Sequence, residues 1–253
     1  MSKNLCIYCS SSERLDDKYY QFGEEFGARI VQEGYEMVYG GTTVGIMGAV
    51  AGSVLKNHGK VVGVVPKGIF DSLQHFEQAG VIVTDDMRTR KEKMEKLADA
   101  FVALPGGFGT LEEVFEIIVR KQLGYHSKAI VFMNFNEFYD GLLEMFDKIY
   151  EEKFAKHWMQ NLYFIANTVD EVFTYLDNYV EIFYIQNNKV NTKLIRASLK
   201  NIADALSTEK DIFRTHKSYV VNLAKVISVS GNAQGYKLHL ENIEELIPVS
   251  RSL

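Results

Sequence analysis

The sequence predicts an α/β fold, an open parallel sheet with helices on both faces, followed by a small, mainly antiparallel β module. Three observations carry that expectation. Apolar strand-like runs alternate with helical patterns from Leu5 to Leu176. After Asp177 the rhythm changes to strand and turn signals, about every ten residues. The charge balance changes there too. Residues 177–253 hold 10 Lys+Arg against 8 Asp+Glu, a balance of +2, whereas residues 1–176 hold 18 against 25, a balance of −7. The expected domains are therefore 1–176 and 177–253, abutting without a low-complexity linker.

In the first domain, strands are expected at Leu5–Cys9, Glu36–Tyr39, Val61–Val65, Val81–Val83, Ala100–Leu104 and Ala129–Met133. Helices are expected at Asp17–Glu33, Gly48–His58, Arg90–Ala98, Leu111–Leu123, Phe138–Lys153 and Val169–Leu176. Strands separated by helices pair in parallel through right-handed crossovers, and such sheets bind ligands beyond the strands' carboxyl ends. In the second domain, Val180–Gln186 and Lys189–Ile195 read as strands and Leu199–Leu206 as a helix. Val220–Leu223 with Val226–Val229, then Tyr236–Leu240 and Glu245–Val249, read as the remaining strands.

Composition narrows the function. Of 253 residues, 47% are hydrophobic, 24% are charged and only 3 are proline. This excludes a disordered tail, a collagen-like chain and a disulfide scaffold. A net charge of −5 argues against binding polyanions over the whole surface and leaves room for a local basic face. No apolar run reaches the roughly 18–20 residues of a membrane span. The start has no signal-peptide layout, and there are two cysteines. The expectation is a reduced, cytoplasmic protein without a membrane partner. Cys6 and Cys9 spell C-x-x-C inside a strand, where residues three apart face opposite sides, so they read as packing thiols. The six histidines lack ligand spacing, and neither a metal nor a cofactor is expected. His126 reads as a cap at a helix C-terminus.

The sharpest segment is Pro105-Gly106-Gly107-Phe108-Gly109-Thr110-Leu111-Glu112-Glu113, between a strand and a helix. Its glycines admit close backbone approach, and a helix start suits a phosphate. Thr110-x-x-Glu113 also spells a capping box, which accounts for those two residues but not for Gly106, Gly107 and Gly109. An earlier glycine turn, Tyr39-Gly40-Gly41-Thr42-Thr43-Val44-Gly45-Ile46-Met47-Gly48, also joins a strand to a helix. It is neither a dinucleotide fingerprint nor a P-loop, and Pro66-Lys67 stands where a dinucleotide site wants an acid. Two such turns suggest a mononucleotide held from two sides. Between them, Asp85-Asp86-Met87-Arg88-Thr89-Arg90-Lys91 reads either as a solvated helix start or as an anion-recognition segment.

Together, Tyr39-Gly40-Gly41…Gly45-Ile46-Met47-Gly48, Val64-Val65-Pro66-Lys67, Met87-x-x-Arg90-Lys91 and Pro105-Gly106-Gly107-x-Gly109-Thr110-x-x-Glu113 resemble the Lonely Guy (LOG) family of cytokinin riboside 5′-monophosphate phosphoribohydrolases. The resemblance spans about Leu5 to Leu176. It implies a Rossmann-like homodimer or higher homo-oligomer that hydrolyses a purine nucleoside 5′-monophosphate to free base and ribose 5-phosphate. It implies Arg90 and Glu113 as the catalytic pair, and Ser10, Gly41, Gly45, Met87, Lys91, Gly106, Gly107, Gly109 and Thr110 as substrate-binding residues. Cys9-Ser10-Ser11 replaces the family's more usual Cys-Gly-Ser. The lysine decarboxylase label carried by family members finds no evident pyridoxal-lysine site here. A carboxylate beside the ribose suits glycosidic cleavage, where positive charge builds on the sugar, and an arginine suits anion fixation.

In the second domain, Phe213-Arg214-Thr215-His216-Lys217-Ser218-Tyr219-Val220-Val221-Asn222 reads as a basic loop entering a strand, and Ile247-Pro248-Val249-Ser250-Arg251 as a strand ending in a polar turn. With Asp177-Asn178-Tyr179-Val180 and Ile195-Arg196-Ala197-Ser198-Leu199-Lys200, they resemble the LytTR DNA-binding domain. That resemblance implies DNA as a partner, with Asn222 and Arg251 reading bases and His216 and Lys217 on the backbone. The family's first strand, before Asn178, is expected to be missing, its place taken by the helix Asp170–Leu176. Three readings follow: a nucleotide hydrolase fused to a DNA-binding module, a nucleotide-sensing regulator with little turnover, and a hydrolase whose tail only builds an oligomer.

Overall fold

The computed structural model describes residues 3–72, 74–186, 189–196, 199–216, 219–232, 235–240, 243 and 246–249. The chain divides into two compact units, residues 1–176 and 177–253. In the first unit the order is β1 (Lys3–Tyr8), α1 (Asp17–Gln32), β2 (Tyr35–Tyr39), α2 (Gly45–Lys56), β3 (Val61–Pro66), α3 (Lys67–Phe70), β4 (Gly80–Thr84) and α4 (Met87–Leu97). It continues with β5 (Ala100–Ala103), α5 (Phe108–Gln122), β6 (Ala129–Met133), α6 (Asp140–Glu151), β7 (Phe164–Ala166) and α7 (Val169–Asp177). The seven strands form one parallel sheet in the order β4-β3-β2-β1-β5-β6-β7.

The sheet is covered on both faces, so its central strands are apolar throughout. Every described residue of β5 and β6 is buried, as are Leu5 to Tyr8 of β1. A core cluster around Tyr8, Val38, Phe101, Val114, Ile130 and Phe132 packs one face against α4, α5 and α6. On the other face α1 and α2 approach closely. A Cβ on Gly27 of α1 would come within 2.8 Å of the Ser53 Cβ of α2, so only glycine lets these backbones meet. The connections leave β1 in opposite directions, to β2 on one side and β5 on the other. That is a topological switch point, with a crevice at the carboxyl ends.

Most expected elements are present, and the differences concern their ends. Helices α2, α4 and α5 each begin three residues earlier than the pattern indicates, at Gly45, Met87 and Phe108. The glycines and polar residues of those first turns carry no apolar periodicity. Strand β7 and the four-residue α3 were not expected.

The second unit contains β8 (Tyr179–Gln186) and β9 (Lys189–Arg196) as an antiparallel pair, then α8 (Leu199–Ala205). Next come β10 (Ile212–His216) and β11 (Tyr219–Asn222), a second antiparallel pair. Last are β12 (Val226–Asn232), β13 (Gly235–Leu240) and β14 (Ile247–Val249), a three-stranded antiparallel sheet. Val221, Leu238 and Ile247 form its small core, with Tyr219, Val226, Leu240 and Val249 around them. Phe213 to His216, expected as a basic loop, is a strand. The run from Val220 to Val229 belongs to two sheets, divided by a 3₁₀ turn at Leu223–Lys225.

Candidate active site

Four strand ends and two helix starts converge at the switch point. The chain leaving β1 at Cys9-Ser10 is tied to the chain leaving β5, since the Ser10 amide donates to the Pro105 carbonyl at 3.2 Å. It is tied to α2 through the Met47 amide, which donates to the Ser10 carbonyl at 3.1 Å. Gly45 opens α2 at φ +66°, and a Cβ there would lie 2.7 Å from the Ser10 carbonyl oxygen. Gly41 sits at φ +85°, where an added Cβ would run into Val65. Both positions need glycine for conformation and for space.

Helix α5 starts at Phe108 behind the N-cap Gly107, and no side chain caps it. The first amides of a helix have no acceptor within it. A Cβ at Gly107 or Gly109 would meet nothing within 4 Å, so the space before these amides is open. Thr110 is buried, with its side chain folded over Gly106, where a Cβ would strike it. The capping-box alternative is therefore overturned. With the helix starting at Phe108, Thr110 and Glu113 lie inside it and cap nothing.

Glu113 instead meets Arg90. Asp86 caps α4 in a reciprocal box with Thr89, which sets Arg90 on the inner face of that helix one turn before Met94. Arg90 Nη1 donates to Glu113 Oε1 at 2.8 Å, and Nε donates to the Val64 carbonyl at 3.0 Å. Both residues are only 8% exposed. A Cβ on Gly40 would sit 2.6 Å from Arg90 Nη2, so the first glycine turn makes room for the guanidinium. Burial pushes the Glu113 carboxyl above the usual carboxylate range, and the Arg90 charge pulls it part of the way back. The arrangement is a desolvated carboxylate with one guanidinium partner, beside an uncapped helix start. It can accept a proton, stabilise positive charge and receive an anion.

The other expected residues fall as follows. The Ser10 hydroxyl accepts from the Ser12 amide at 3.1 Å, inside its own turn. Met87 is exposed at the first position of α4. The Lys91 ammonium is held by the Glu112 and Glu116 carboxylates of α5. His126 places Nε2 3.0 Å from the Ile117 carbonyl near the end of α5, and burial lowers its pKa. Cys6 and Cys9 are buried free thiols with raised pKa values. Among the described residues no group of His, Cys, Asp or Glu is arranged to hold a metal ion, and no helix is long and apolar enough to cross a membrane. In the second unit, the Asn222 side-chain oxygen accepts from the Ala224 amide at 2.9 Å. His216 pairs with Tyr219 where β10 turns into β11. Lys217 and Arg251 lie outside the described residues.

Comparison with known proteins decides the family. Residues 47–176 match the family described as possible lysine decarboxylase. A cytokinin riboside 5′-monophosphate phosphoribohydrolase of Oryza sativa subsp. japonica is 36% identical over 179 residues, covering 70% of this chain and 74% of that protein. The chain belongs to the LOG family. A relative of the same name from Arabidopsis thaliana is 36% identical over 179 residues, covering 70% of this chain and 84% of its own length. A second Arabidopsis LOG protein is 32% identical over 212 residues, 83% of this chain and 96% of that protein. Residues 163–253 match the LytTR DNA-binding domain, so the LOG domain is followed by a LytTR domain. The first positions of that match fall on β7 and α7, whereas the small unit's own first strand is β8. Solved structures similar in fold include the molybdenum cofactor carrier protein of Chlamydomonas reinhardtii, with TM-score 0.52 and 16% identity over 69% of this chain and 95% of that one. Another is the molybdenum cofactor binding protein of Rippkaea orientalis, with TM-score 0.53 and 19% identity over 69% and 94%. At those identities the likeness concerns the parallel α/β fold.

The raised Glu113 carboxyl has a measurable consequence. Between the ordinary value of 4.5 and the folded value, the native state holds a proton that the unfolded chain has released. Stability from this group is present below 4.5 and lost as pH rises through the folded value. Denaturant unfolding followed upward from pH 4 should therefore show a declining contribution that disappears in Glu113→Gln. Identical pH slopes for the two proteins would remove the desolvated carboxylate from the account.

Proposed function

We propose that the LOG domain hydrolyses the N-glycosidic bond of a purine nucleoside 5′-monophosphate, AMP or a cytokinin-type derivative, giving free base and ribose 5-phosphate. The observation that carries this reading is the buried Arg90–Glu113 pair beside the uncapped start of α5. The phosphate sits before the amides of Gly107, Gly109 and Thr110, where the helix N-terminus favours negative charge. As the bond from C1′ to the base nitrogen breaks, positive charge grows on the ribose, and the Glu113 carboxylate stabilises it and orients the attacking water. Water gives its hydroxyl to C1′, and its proton passes to the departing base. Arg90 holds the carboxylate in place through one guanidinium nitrogen, and its Nη2, against Gly40, remains directed at the glycine turn. No resident cofactor takes part. The family name that mentions lysine decarboxylation fits poorly with a site where Lys91, next in sequence to Arg90, is held between two carboxylates.

The same reading includes a homodimer. On α5, Phe108, Val119 and Leu123 are exposed, at 93%, 49% and 63%, whereas Leu111 and Phe115 pack partly against the unit's own core. Exposed apolar side chains on one helix favour burial against a second copy. The LytTR domain then binds DNA, with Asn222 and Arg251 reading bases and His216 and Lys217 touching the backbone. A cytoplasmic location accords with both activities.

Glu113→Gln tests the hydrolase. It keeps the volume and removes the charge, so turnover should fall by roughly two orders of magnitude or more. Arg90→Ala should behave similarly. Glutamine keeps an Oε1 that can accept from Arg90 Nη1, and the raised Glu113 carboxyl means that the folded site favours the neutral form, so folding should be nearly unchanged, and rates are compared at a temperature where both proteins are folded. Release of free base at the wild-type rate by Glu113→Gln would end the catalytic assignment.

Selection from random duplexes on the full chain tests the second module. A dimer presents two LytTR domains, so enriched sequences should contain repeated half-sites about one helical turn apart. Arg251→Ala should weaken binding to the selected site more than to random DNA, by roughly 1–3 kcal/mol of discrimination. No enrichment, with a change only in oligomer size on removing residues 177–253, would make the tail an assembly element.

A further inference from the structure

The connection from β3 to β4 lies at the carboxyl end of the sheet, next to the first glycine turn, and it is bound to that turn at two points. The His75 Nδ1 lies 2.6 Å from the Gly41 carbonyl oxygen. The Thr43 amide donates to the Gln74 carbonyl at 3.2 Å. The imidazole is held from behind. Its Nε2 lies 3.1 Å from the Phe70 carbonyl, and its ring stacks on the Phe70 ring at 4.7 Å with an interplanar angle of 19°. Both ring nitrogens face carbonyl oxygens, which only accept, so the ring can act here only as a donor, and Nδ1–H is the form that captures the Gly41 carbonyl. Beyond Lys67, no residue of this segment belongs to the catalytic pair or to the motifs above.

Between the two tied positions lies Thr42, 5% exposed, whose amide makes no hydrogen bond among the described residues. Buried backbone N–H groups are paired in the great majority of cases, so an open one beside a ligand site is a donor awaiting an acceptor. In a trans peptide the carbonyl and the following N–H point in opposite directions. Capturing the Gly41 carbonyl on the β3–β4 side therefore fixes the Thr42 N–H toward the opposite side of the turn. The left-handed Gly41 makes this peptide free to rotate in isolation, so its orientation needs an external hold.

We propose that His75 is a positioning residue. It locks the Gly41–Thr42 peptide so that the Thr42 amide donates to an oxygen of the bound nucleoside monophosphate. The interaction exists in the ground state and in the transition state alike, so it sets affinity rather than the chemical step. This rests on the hydrolase reading above, because only that reading places a nucleotide against the glycine turn.

The test is steady-state kinetics of the full chain with AMP, and with a cytokinin-type monophosphate, for wild type, His75→Ala and His75→Asn. His75→Ala should raise KM about five- to tenfold, the value of one well-made hydrogen bond, with kcat within twofold. Asparagine carries an N–H that can reach the Gly41 carbonyl, so His75→Asn should recover most of the lost affinity. A loss that is only structural would lower kcat or the melting temperature while KM rises, and asparagine would not restore it; that result overturns the positioning role. Unchanged KM in His75→Ala, with an active wild type, overturns it as well and leaves the hydrolase intact. A wild-type protein that neither binds nor cleaves a monophosphate overturns both.

Discussion

The buried ion pair between Arg90 and Glu113 is the interaction on which the site depends. It joins α4 to α5 across the carboxyl ends of the strands, and the second nitrogen contact, to the Val64 carbonyl, anchors the arginine to β3. Desolvating two charges is costly and is offset only when geometry and further hydrogen bonds are good. Here each charge has the other, and the arginine has a backbone acceptor as well. Removing one partner strands the other in a poorly hydrated place. A fold optimised only for stability would do as well with apolar residues, so the pair points to chemistry rather than to support.

The rest of the crevice is backbone. Gly40 gives way to the guanidinium, Gly41 and Gly45 supply left-handed turns, and Gly107 and Gly109 leave open space before α5. A site assembled from amides is directional but locally soft, because glycine peptides rotate easily. The close ties between neighbouring turns counter this softness: Ser10 to Pro105, Met47 to Ser10, Thr43 to Gln74 and His75 to Gly41. Each links segments distant in sequence, so the glycine turns move with the sheet and not independently of it.

Much of this was legible in the sequence, for physical reasons. Fully buried parallel strands such as β1, β5 and β6 have no polar face, so they stand out as continuous apolar runs. The glycine turns stand out because little else explains several glycines between a strand and a helix. What escaped was set by tertiary contacts. Strand β7 has three residues and borrows its register from β6. Strand β10 carries Arg214 and His216, and basic residues on a half-exposed strand look like a loop. Thr110 and Glu113 satisfied a local capping pattern, and only the arginine from another helix, twenty-three residues earlier, shows why the glutamate is there. Likewise Lys91, adjacent to Arg90 in sequence, faces the two outer glutamates of α5, because neighbouring helical positions point about a quarter-turn apart. His75 carried no sequence signal: a lone histidine in a connection is defined by the carbonyls it meets.

Purified full-length protein is incubated with AMP, with isopentenyladenosine monophosphate and with the matching nucleosides, and the products are separated. The account predicts free base and ribose 5-phosphate from a monophosphate, and little or no base from the nucleosides, which lack the group that α5 receives. A monophosphate recovered intact after binding would contradict it and leave a nucleotide sensor in place of an enzyme.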